Sequence, residues 1–325
     1  MKKILIVRTD KIGDMVLTLP MAQAIKLADP ECRVVFMSQP YTTPIVKLSR
    51  FVDEIVEYDG SYYWGLIKAF RRIRPDAVVL LSPKARYAIA SFFAGIPIRV
   101  GKGYRWYSFF TNRNVFEHRR TAERNEAAYN LRMLASLGID ADEELLPQLD
   151  LSILPTVSIP TQPYIVLHTQ TGGSAPIWDA DKWSELGSAL NQTFGFPVVL
   201  TGTAFESEFL FTLCERMKHS RLDVHIQPQS DLATLCSVLS KAALVIAGST
   251  GPGHIAAALG TPTIGLFPRA TALSKERWGF RGKRAINLDA TVAPRPECPQ
   301  CKNCNCVSSI TIGQVIDAAR TLMNQ

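Results

Sequence analysis

The sequence has no apolar run of the roughly 18–20 residues that a membrane-spanning helix requires. Its first apolar run, Ile4–Val7, ends at Arg8 and is too short for the core of a signal peptide. With 47% hydrophobic and 20% charged residues, the composition also excludes a disordered or collagen-like chain. We therefore expect the 325 residues to form two globular domains of a cytoplasmic protein, soluble or peripheral on a membrane.

Motifs of several common enzyme classes are absent as well. The sequence contains no H-E-x-x-H zinc-protease motif, no G-x-S-x-G hydrolase motif and no dinucleotide fingerprint after its first predicted strand. The segment Gly95–Gly103 resembles a phosphate-binding P-loop, but it has one residue too many and no Ser or Thr after its lysine. These absences argue against dehydrogenases, P-loop kinases, zinc proteases and serine hydrolases.

Positive charge is concentrated in one segment. The protein has 36 basic and 29 acidic residues, which gives a net charge of +7. The segment Lys84–Arg120 contains eight of the basic residues, a single acid, Glu117, and nine interleaved aromatic residues. Such a segment suits an anionic partner with an apolar part, namely a phosphorylated glycan, an anionic membrane surface or a nucleic acid. The alternative is a solvated face above ordinary core aromatics.

Short apolar runs alternate with segments of helical apolar spacing along most of the chain. Strands are predicted at Lys3–Val7, Arg33–Met37, Glu54–Tyr58, Ala77–Leu81, Tyr164–His168, Pro197–Thr201, Val224–Ile226, Ala243–Ala247 and Pro262–Phe267. Helices are predicted at Asp14–Leu27 (with a kink or late start at Pro20), Pro44–Leu48, Tyr62–Ile73, Asp181–Gln192, Glu206–Met217, Gly253–Leu259 and Ile312–Met323. This alternation indicates βαβ units and parallel sheets. The proline-rich segment 151–163 is predicted to connect two Rossmann-like halves that face each other across a cleft.

Three loops at predicted strand ends contain candidate functional residues, because ligands of such sheets bind at the carboxyl ends of the strands. The first loop, 9–14, places Asp14 in the first turn of a helix. A carboxylate there can accept a proton from an incoming hydroxyl group. The alternative is a structural acid that complements the helix dipole. Asp10 has the same two interpretations, with a weaker placement.

The second and third loops are rich in glycine and hydroxyl side chains. The second loop, 168–178, offers backbone N–H groups to a phosphate but contains no Lys or Arg, and a plain flexible loop is the alternative. The third loop, 248–254, opens a short helix that is capped by Gly251 or by the hydroxyl residue before it, with Pro252 in the first turn. A helix N-terminus of this kind is an anion site, and we expect His254 to point near the anion. The alternative is a structural histidine.

Four of the seven cysteines lie close together near the C-terminus. They form a Cys-x₂-Cys-x₂-Cys-x-Cys cluster at Cys298, Cys301, Cys304 and Cys306. Thiolates at this spacing can bind zinc or an iron centre, so a structural metal is one prediction. Reduced thiols or an oxidised pair are the alternative, although a cytoplasmic setting disfavours disulfides. The other three cysteines are predicted to be reduced core residues at Cys32, Cys214 and Cys236.

The segment Ile4–Pro20, and the third loop continued to Gly260, resemble the glycosyltransferase family 9 heptosyltransferases of lipopolysaccharide core assembly. Smaller matches lie at Arg99–Gly101, Arg124–Glu126 and Asn130–Leu131, so the likeness extends over nearly the full chain. The resemblance implies an α/β fold of the GT-B type with two Rossmann-like domains and a central cleft. We expect an acceptor-binding domain over 1–155 and a donor-binding domain over 156–325. The last helix, about 311–325, is expected to pack back on the first domain.

The resemblance also implies the reaction. Family members catalyse inverting sugar transfer from a nucleotide sugar, typically ADP-heptose, without a catalytic metal or other cofactor. Asp14 falls on the position of the family's proposed general base. The implied acceptor is a lipid-linked anionic glycan, and contact with the cytoplasmic face of the inner membrane is expected, with no nucleic-acid partner.

Donor and acceptor residues follow from the same resemblance. Donor binding is expected of Thr171, Gly172, Glu206, Ser249, Thr250, Gly251 and His254, with Glu208 close enough to Glu206 to compete for its role. Acceptor binding is expected of Lys11, Gly13, Arg99, Lys102 and Arg105.

Two positions depart from the family pattern. Pro176 stands where members often have a lysine that neutralises the leaving diphosphate, and Ser249 replaces an acid at the start of the third loop. A different nucleotide-sugar donor is therefore one alternative. A sugar-nucleotide epimerase or hydrolase is another, although the lack of Lys or Arg in the second loop counts against it. A non-catalytic protein that binds glycan or lipid is the third.

Overall fold

The computed structural model describes residues 1–58, 60, 62–157, 160, 162–228, 231–292 and 306–324. The chain divides into two compact domains. The first domain comprises Met1–Arg119 and Glu126–Asp150, and the second comprises Arg120–Asn125 and Leu151–Gln325. The change of domain at Asp150 falls five residues before the end of the predicted first domain, and the short segment 120–125 belongs to the second domain.

The first domain is built on a six-stranded, fully parallel sheet. Its strands are β1 (Lys3–Val7), β2 (Arg33–Ser38), β3 (Glu54–Glu57), β4 (Ala77–Leu80), β5 (Ile98–Lys102) and β6 (Arg113–Val115). Its helices are α1 (Ile12–Val16), α2 (Leu19–Ala28), α3 (Thr43–Lys47), α4 (Tyr63–Ile73), α5 (Ala85–Phe93) and α6 (Glu126–Arg132), and a 3₁₀ helix spans Trp106–Phe110. The strand order β3-β2-β1-β4-β5-β6 is that of the Rossmann fold.

Proline explains a detail of the first helical segment. The single predicted helix is two helices, α1 and α2, and Pro20 lies in the first turn of the second one. Proline is tolerated there because the first N–H groups of a helix have no partner within the helix. The kink or late start predicted from Pro20 is observed as a break before α2, and α1 is a separate short helix that contains Asp14.

The second domain repeats this architecture. Its strands are β7 (Ile165–His168), β8 (Val198–Gly202), β9 (Val224–Pro228), β10 (Leu244–Gly248), β11 (Thr263–Phe267) and β12 (Ala285–Asp289). Its helices are α7 (Ala180–Phe194), α8 (Ser207–His219), α9 (Leu232–Lys241), α10 (Gly251–Ala258), α11 (Lys275–Trp278) and α12 (Ile312–Met323). The order β9-β8-β7-β10-β11-β12 is again that of the Rossmann fold, and every pair is parallel.

The expectation that the last helix packs on the first domain is wrong. The apolar face of α12, with Val315, Ala319 and Leu322, lies in the core of the second domain, where the helix contacts α7, β11 and β12. Arg284 also donates a hydrogen bond to the carbonyl of Leu322 at 2.8 Å. The amphipathic pattern of α12 predicts a buried face, but the sheet of its own domain supplies the partner.

The strand interiors form both cores. Every residue of β1 except Lys3 is buried, and every residue of β10 is buried. This is expected of parallel strands that are covered on both faces. Among the residues that the structure describes, no helix is long and apolar enough to cross a bilayer.

Candidate active site

Strand order places the candidate loops at two equivalent positions. In the first domain the order reverses between β1 and β4, and in the second between β7 and β10. Ligands of Rossmann-type sheets bind outside the carboxyl ends of the strands at this switch point. The first loop follows β1, the second follows β7 and the third follows β10, so each occupies the edge at which this fold binds its ligands.

A buried arginine organises the first loop. Arg8 directly follows β1 and is 3% exposed, and its guanidinium forms ion pairs with Asp14 and with Asp10, the latter at 3.2 Å between Nε and Oδ2. A buried cation that pairs with two carboxylates fixes the orientation of both side chains. The Asp14 side chain is 17% exposed, so a carboxylate held in one orientation still reaches solvent. This is the arrangement that a positioned general base requires.

Residues that follow β4 form hydrogen bonds with the first loop. The Ser82 hydroxyl donates to Asp10 at 2.9 Å and accepts a hydrogen bond from the Thr9 backbone N–H at 2.8 Å. The Thr9 hydroxyl is also 2.7 Å from the buried Tyr87 hydroxyl. These bonds join β1 to β4 at the switch point. Lys84 lies 3.9 Å from Asp10 and adds a second positive charge.

The predicted acceptor-binding residues fall into two groups. Lys11 is exposed at the start of α1, and Gly13 lies within α1 beside Asp14. Lys102 ends β5 and lines a small cavity together with Ser82, Lys84 and Tyr107. Because Ser82 and Lys84 also contact Asp10, this basic cavity adjoins the first loop.

Arg99 and Arg105 are not among the residues that line this cavity. The Arg99 guanidinium donates to the carbonyl groups of Ile96 at 2.5 Å and Phe110 at 2.8 Å. Its positive charge is thus used to hold the chain between α5 and the 3₁₀ helix. Arg105 is exposed and immediately precedes that helix.

Two glycines shape the second loop. Gly172 and Gly173 both have positive φ, of 55° and 75°, a backbone conformation that other residues adopt at a cost. The loop folds back so that the Ser174 hydroxyl donates to the carbonyls of Thr171 at 2.7 Å and Ser249 at 3.1 Å. The second and third loops are thereby tied together, and Thr171 and Ser249 flank the switch point between β7 and β10.

The third loop opens α10 with Thr250 at the N-cap. The Thr250 side chain makes no capping hydrogen bond, and Gly251 is the first helical residue, followed by Pro252. Gly253 is required by packing, because a Cβ atom there would lie 2.1 Å from the Phe280 ring. The aligned N–H groups of this helix start supply partial positive charge to a bound phosphate.

His254, in the first turn of α10, is buried. It is 3% exposed, its ring meets Phe280 edge-on at 4.9 Å between centroids, and its Nδ1 atom has no hydrogen-bond partner among the described residues. Burial lowers the pKa of His254 to about 3, so the ring is neutral at pH 7. A phosphate at α10 is therefore not held by a histidine cation.

Glu206 follows β8, the strand beside β7. It is half-buried, and its carboxylate accepts a hydrogen bond from the Thr203 backbone N–H at 2.6 Å in a capping box. Burial lowers the pKa of the neighbouring His168 to about 4, although the Glu206 charge opposes this shift. Glu208, two residues further along the chain, is exposed.

Most of the predicted metal site lies outside the described residues. Cys298, Cys301 and Cys304 belong to that part of the chain, and only Cys306 is described. Cys306 is half-buried and packs against the core of the second domain. The structure therefore leaves the metal prediction untested. Cys32, Cys214 and Cys236 are buried free thiols, as predicted.

Three residues of the candidate active site are not predicted by the sequence patterns, namely Arg8, Ser82 and Phe280. Arg8 ends the first apolar run, and an arginine that directly follows a buried strand and precedes two acids is a signal of an ion pair. Ser82 follows β4 in the same way. Phe280 packs on Gly253 and His254 from 26 residues away, and no local pattern points to it.

Comparisons with known proteins agree with this architecture. Lipopolysaccharide heptosyltransferase 3 of Escherichia coli strain K12 is 25% identical over 286 residues, which is 78% of this chain and 79% of that protein. A Veillonella parvula structure described as a glycosyl transferase of family 9 superposes with a TM-score of 0.81 at 19% identity, covering 99% of this chain and 97% of that one. The structure of E. coli ADP-heptose LPS heptosyltransferase II superposes with a TM-score of 0.80 at 18% identity, covering 99% of both chains. The predicted GT-B class, with two Rossmann-like domains, is confirmed.

A model of glycosyltransferase family 9 (heptosyltransferase) matches residues 63–306, about three quarters of the chain. The match includes the second and third loops as well as the basic segment of the first domain. The protein is accordingly a glycosyltransferase, and the chain belongs to glycosyltransferase family 9.

Proposed function

We propose that this enzyme transfers heptose from ADP-heptose, with inversion, onto a lipopolysaccharide-core or related lipid-linked anionic glycan at the cytoplasmic face of the inner membrane. The observation that carries the proposal is the Arg8-paired Asp14 carboxylate at the switch point of the first domain. The names of the relatives support the donor and the acceptor class, since two of them are lipopolysaccharide heptosyltransferases.

Asp14 is the proposed general base. As the acceptor hydroxyl oxygen attacks the anomeric carbon, its proton passes to the Asp14 carboxylate. The new bond joins the acceptor oxygen to the sugar, and the bond from the sugar to the β-phosphate oxygen breaks, so that ADP leaves from the opposite face. Arg8 holds Asp14 in position. Asp10 forms a second ion pair with Arg8, so the single guanidinium pairs with two carboxylates.

The donor is proposed to bind at the second domain. Backbone N–H groups at Gly172 and at the start of α10, with the hydroxyls of Thr171, Ser249 and Thr250, would hold the diphosphate. Glu206, at the end of β8, would contact the nucleoside. In this arrangement His254 contributes packing and a neutral ring, because burial keeps it uncharged.

The acceptor is proposed to bind at the first domain. Lys102 and Lys84 line a cavity beside Asp10, and Lys11 and Gly13 flank Asp14. Two lysines around a cavity suit phosphate or carboxylate groups of the glycan. Arg105 lies further along the same segment.

The test measures donor binding and sugar transfer in the same preparation. ADP-heptose and a lipopolysaccharide-core acceptor are incubated with the enzyme, and the released ADP and the mass gain of the acceptor are followed. Asp14→Asn should retain ADP-heptose affinity by calorimetry and lose about 10²–10⁴-fold in turnover, the range that general-base catalysis provides. Asp140→Asn, which changes an exposed acid of the same domain, is the matched control and should leave turnover unchanged.

The departures at Pro176 and Ser249 favour one second candidate, a transferase with another nucleotide-sugar donor. Calorimetry with ADP-glucose and with UDP and GDP sugars tests it beside ADP-heptose. Tight binding of one of these sugars in place of ADP-heptose would replace the donor named above. Binding of none of them, with no transfer, would refute the transferase proposal and favour a non-catalytic glycan- or lipid-binding protein.

A further inference from the structure

The first domain exposes four large aromatic side chains close together. Phe92 and Phe93 end α5, and Trp106 and Phe109 belong to the 3₁₀ helix Trp106–Phe110. Their exposed fractions lie between 45% and 72%. We call these four residues the aromatic surface. Single exposed aromatics are common on soluble proteins, but a contiguous group of them marks an interaction site.

Ring contacts connect three of the four side chains, and Trp106 lies in the same 3₁₀ helix as Phe109. The centroids of Phe92 and Phe93 are 5.4 Å apart, and Phe110 links the two elements, at 5.5 Å from Phe92 and 4.0 Å from Phe109. Trp106 meets Tyr107 edge-on at 5.6 Å.

Packing and hydrogen bonds hold the aromatic surface in place. Phe110 and Tyr107 are partly buried and pack against the core of the first domain. Arg99 fixes the chain through its hydrogen bonds to the Ile96 and Phe110 carbonyls. The backbone that carries the exposed rings is therefore anchored to the core of the first domain, so the rings are exposed when the domain is folded.

Positive charge accompanies the rings. The Arg99 guanidinium lies 5.3 Å from the centroid of Phe92, and Arg71 donates a hydrogen bond to the Phe93 carbonyl at 2.9 Å. Arg105 is exposed directly before Trp106. From Lys84 to Phe116 the sequence contains no acidic residue. Aromatic rings together with arginines match the interface of an anionic bilayer, where rings enter the headgroup level and cations meet lipid phosphates.

We propose that the aromatic surface docks the enzyme on an anionic phospholipid bilayer. The aromatic surface adjoins the proposed acceptor site. Tyr107 follows Trp106 and lines the cavity that Ser82, Lys84 and Lys102 form beside Asp10. Docking thus presents the reactive edge of the first domain to a glycan carried by a lipid. This role rests on the proposed function for its purpose, whereas the binding itself does not depend on which sugar is transferred.

The first experiment is sedimentation with vesicles of phosphatidylcholine, with and without phosphatidylglycerol. The full-length enzyme should sediment with the anionic vesicles, less so at higher salt. The triple variant Phe93→Ser/Trp106→Ser/Phe109→Ser should lose at least about tenfold in its partition coefficient, since it removes most of the apolar area that enters the interface. The matched control Phe205→Ser/Phe211→Ser changes two exposed aromatics of the second domain and should sediment like the wild type.

A second measurement does not depend on how well the triple variant folds. Brominated phosphatidylglycerol vesicles should quench the fluorescence of the wild type and of Trp64→Phe, and this quenching should disappear in Trp106→Phe. Trp64 is the control because it is also highly exposed in the first domain, but it lies outside the aromatic surface.

Three results would overturn the docking role. These are no binding of the wild type to anionic vesicles, equal loss in the second-domain control, or a wild-type dimer that the triple variant dissociates while vesicle binding is unchanged. The last would make the surface a contact between two copies of this chain. Asp14→Asn separates the two proposals, because it should still bind vesicles while losing transfer. Vesicle binding without any heptose transfer would refute the proposed function and leave docking intact.

Discussion

Two buried histidines should make the second domain sensitive to mild acid. Burial lowers the pKa of His168 to about 4 and that of His254 to about 3, whereas both return to their ordinary value near 6.5 on unfolding. Below pH 6.5 the unfolded chain therefore binds protons that the folded domain excludes. The free energy of unfolding must fall as the pH falls, and it does so until the folded pKa values are reached.

The magnitude follows from the pH interval. Each pH unit below 6.5 costs about 1.36 kcal/mol per histidine. At about pH 5, still above both folded values, each ring has cost about 2 kcal/mol relative to pH 7.5. Replacing His254 by Leu removes one of these rings. The wild type should accordingly lose about 2 kcal/mol more than His254→Leu between the two pH values.

The assay is urea unfolding followed by tryptophan fluorescence. Trp178 and Trp183 are buried in the second domain, whereas Trp64 and Trp106 of the first domain are exposed, so the signal reports mainly the domain in question. The control is Ile255→Val, at the buried residue next to His254. It should lower the free energy of unfolding by about 1 kcal/mol without changing its pH dependence.

Equal pH dependence in the wild type and His254→Leu would refute the reasoning. It would mean that the ring of His254 is protonated in the folded domain, and hence that it reaches solvent or an anion. A role as a phosphate-binding cation would then replace the packing role against Phe280.

Three further predictions concern other parts of the molecule. Arg8→Met leaves two carboxylates at a buried site without their cation, so unfolding free energy should fall by about 3–5 kcal/mol in chemical denaturation, whereas Arg50→Met, at an exposed arginine of the same domain, should cost under about 1 kcal/mol. Gly253→Ala forces a Cβ into the Phe280 ring and should cost about 1–3 kcal/mol, whereas Gly313→Ala in α12, which meets no atom closer than 3.8 Å, should be neutral or stabilising; a similar loss in both would contradict the packing argument. If the cysteine cluster binds metal, elemental analysis should find one zinc or iron centre per chain that Cys301→Ser removes; metal-free wild type would refute it.

Local pattern determined much of the secondary structure. The bounds of β1 and α12 match the predictions residue for residue, because β1 is one short apolar run and α12 is a fully amphipathic helix with a capping box. The strands β5 and β6 were missed. Apart from the buried Val100 and Gly101, their residues are at least partly exposed. They include Arg99 and Arg113, so neither strand shows the apolar run of a buried strand. Sheet pairing with β4 and with each other makes them strands.

The sequence by itself also determined the family, the two-domain α/β class and the position of Asp14 in the first helical turn after the first strand. It left open which groups meet there. Arg8 joins Asp10 and Asp14 only because the chain turns after β1, and Ser82 joins them only because β4 pairs with β1. Burial beside Phe280 lowers the pKa of His254 and leaves its ring neutral, which the local sequence does not reveal. Propensity and periodicity are properties of neighbouring residues, whereas burial and charge depend on segments brought together by the sheets, and those contacts are decided by the tertiary structure.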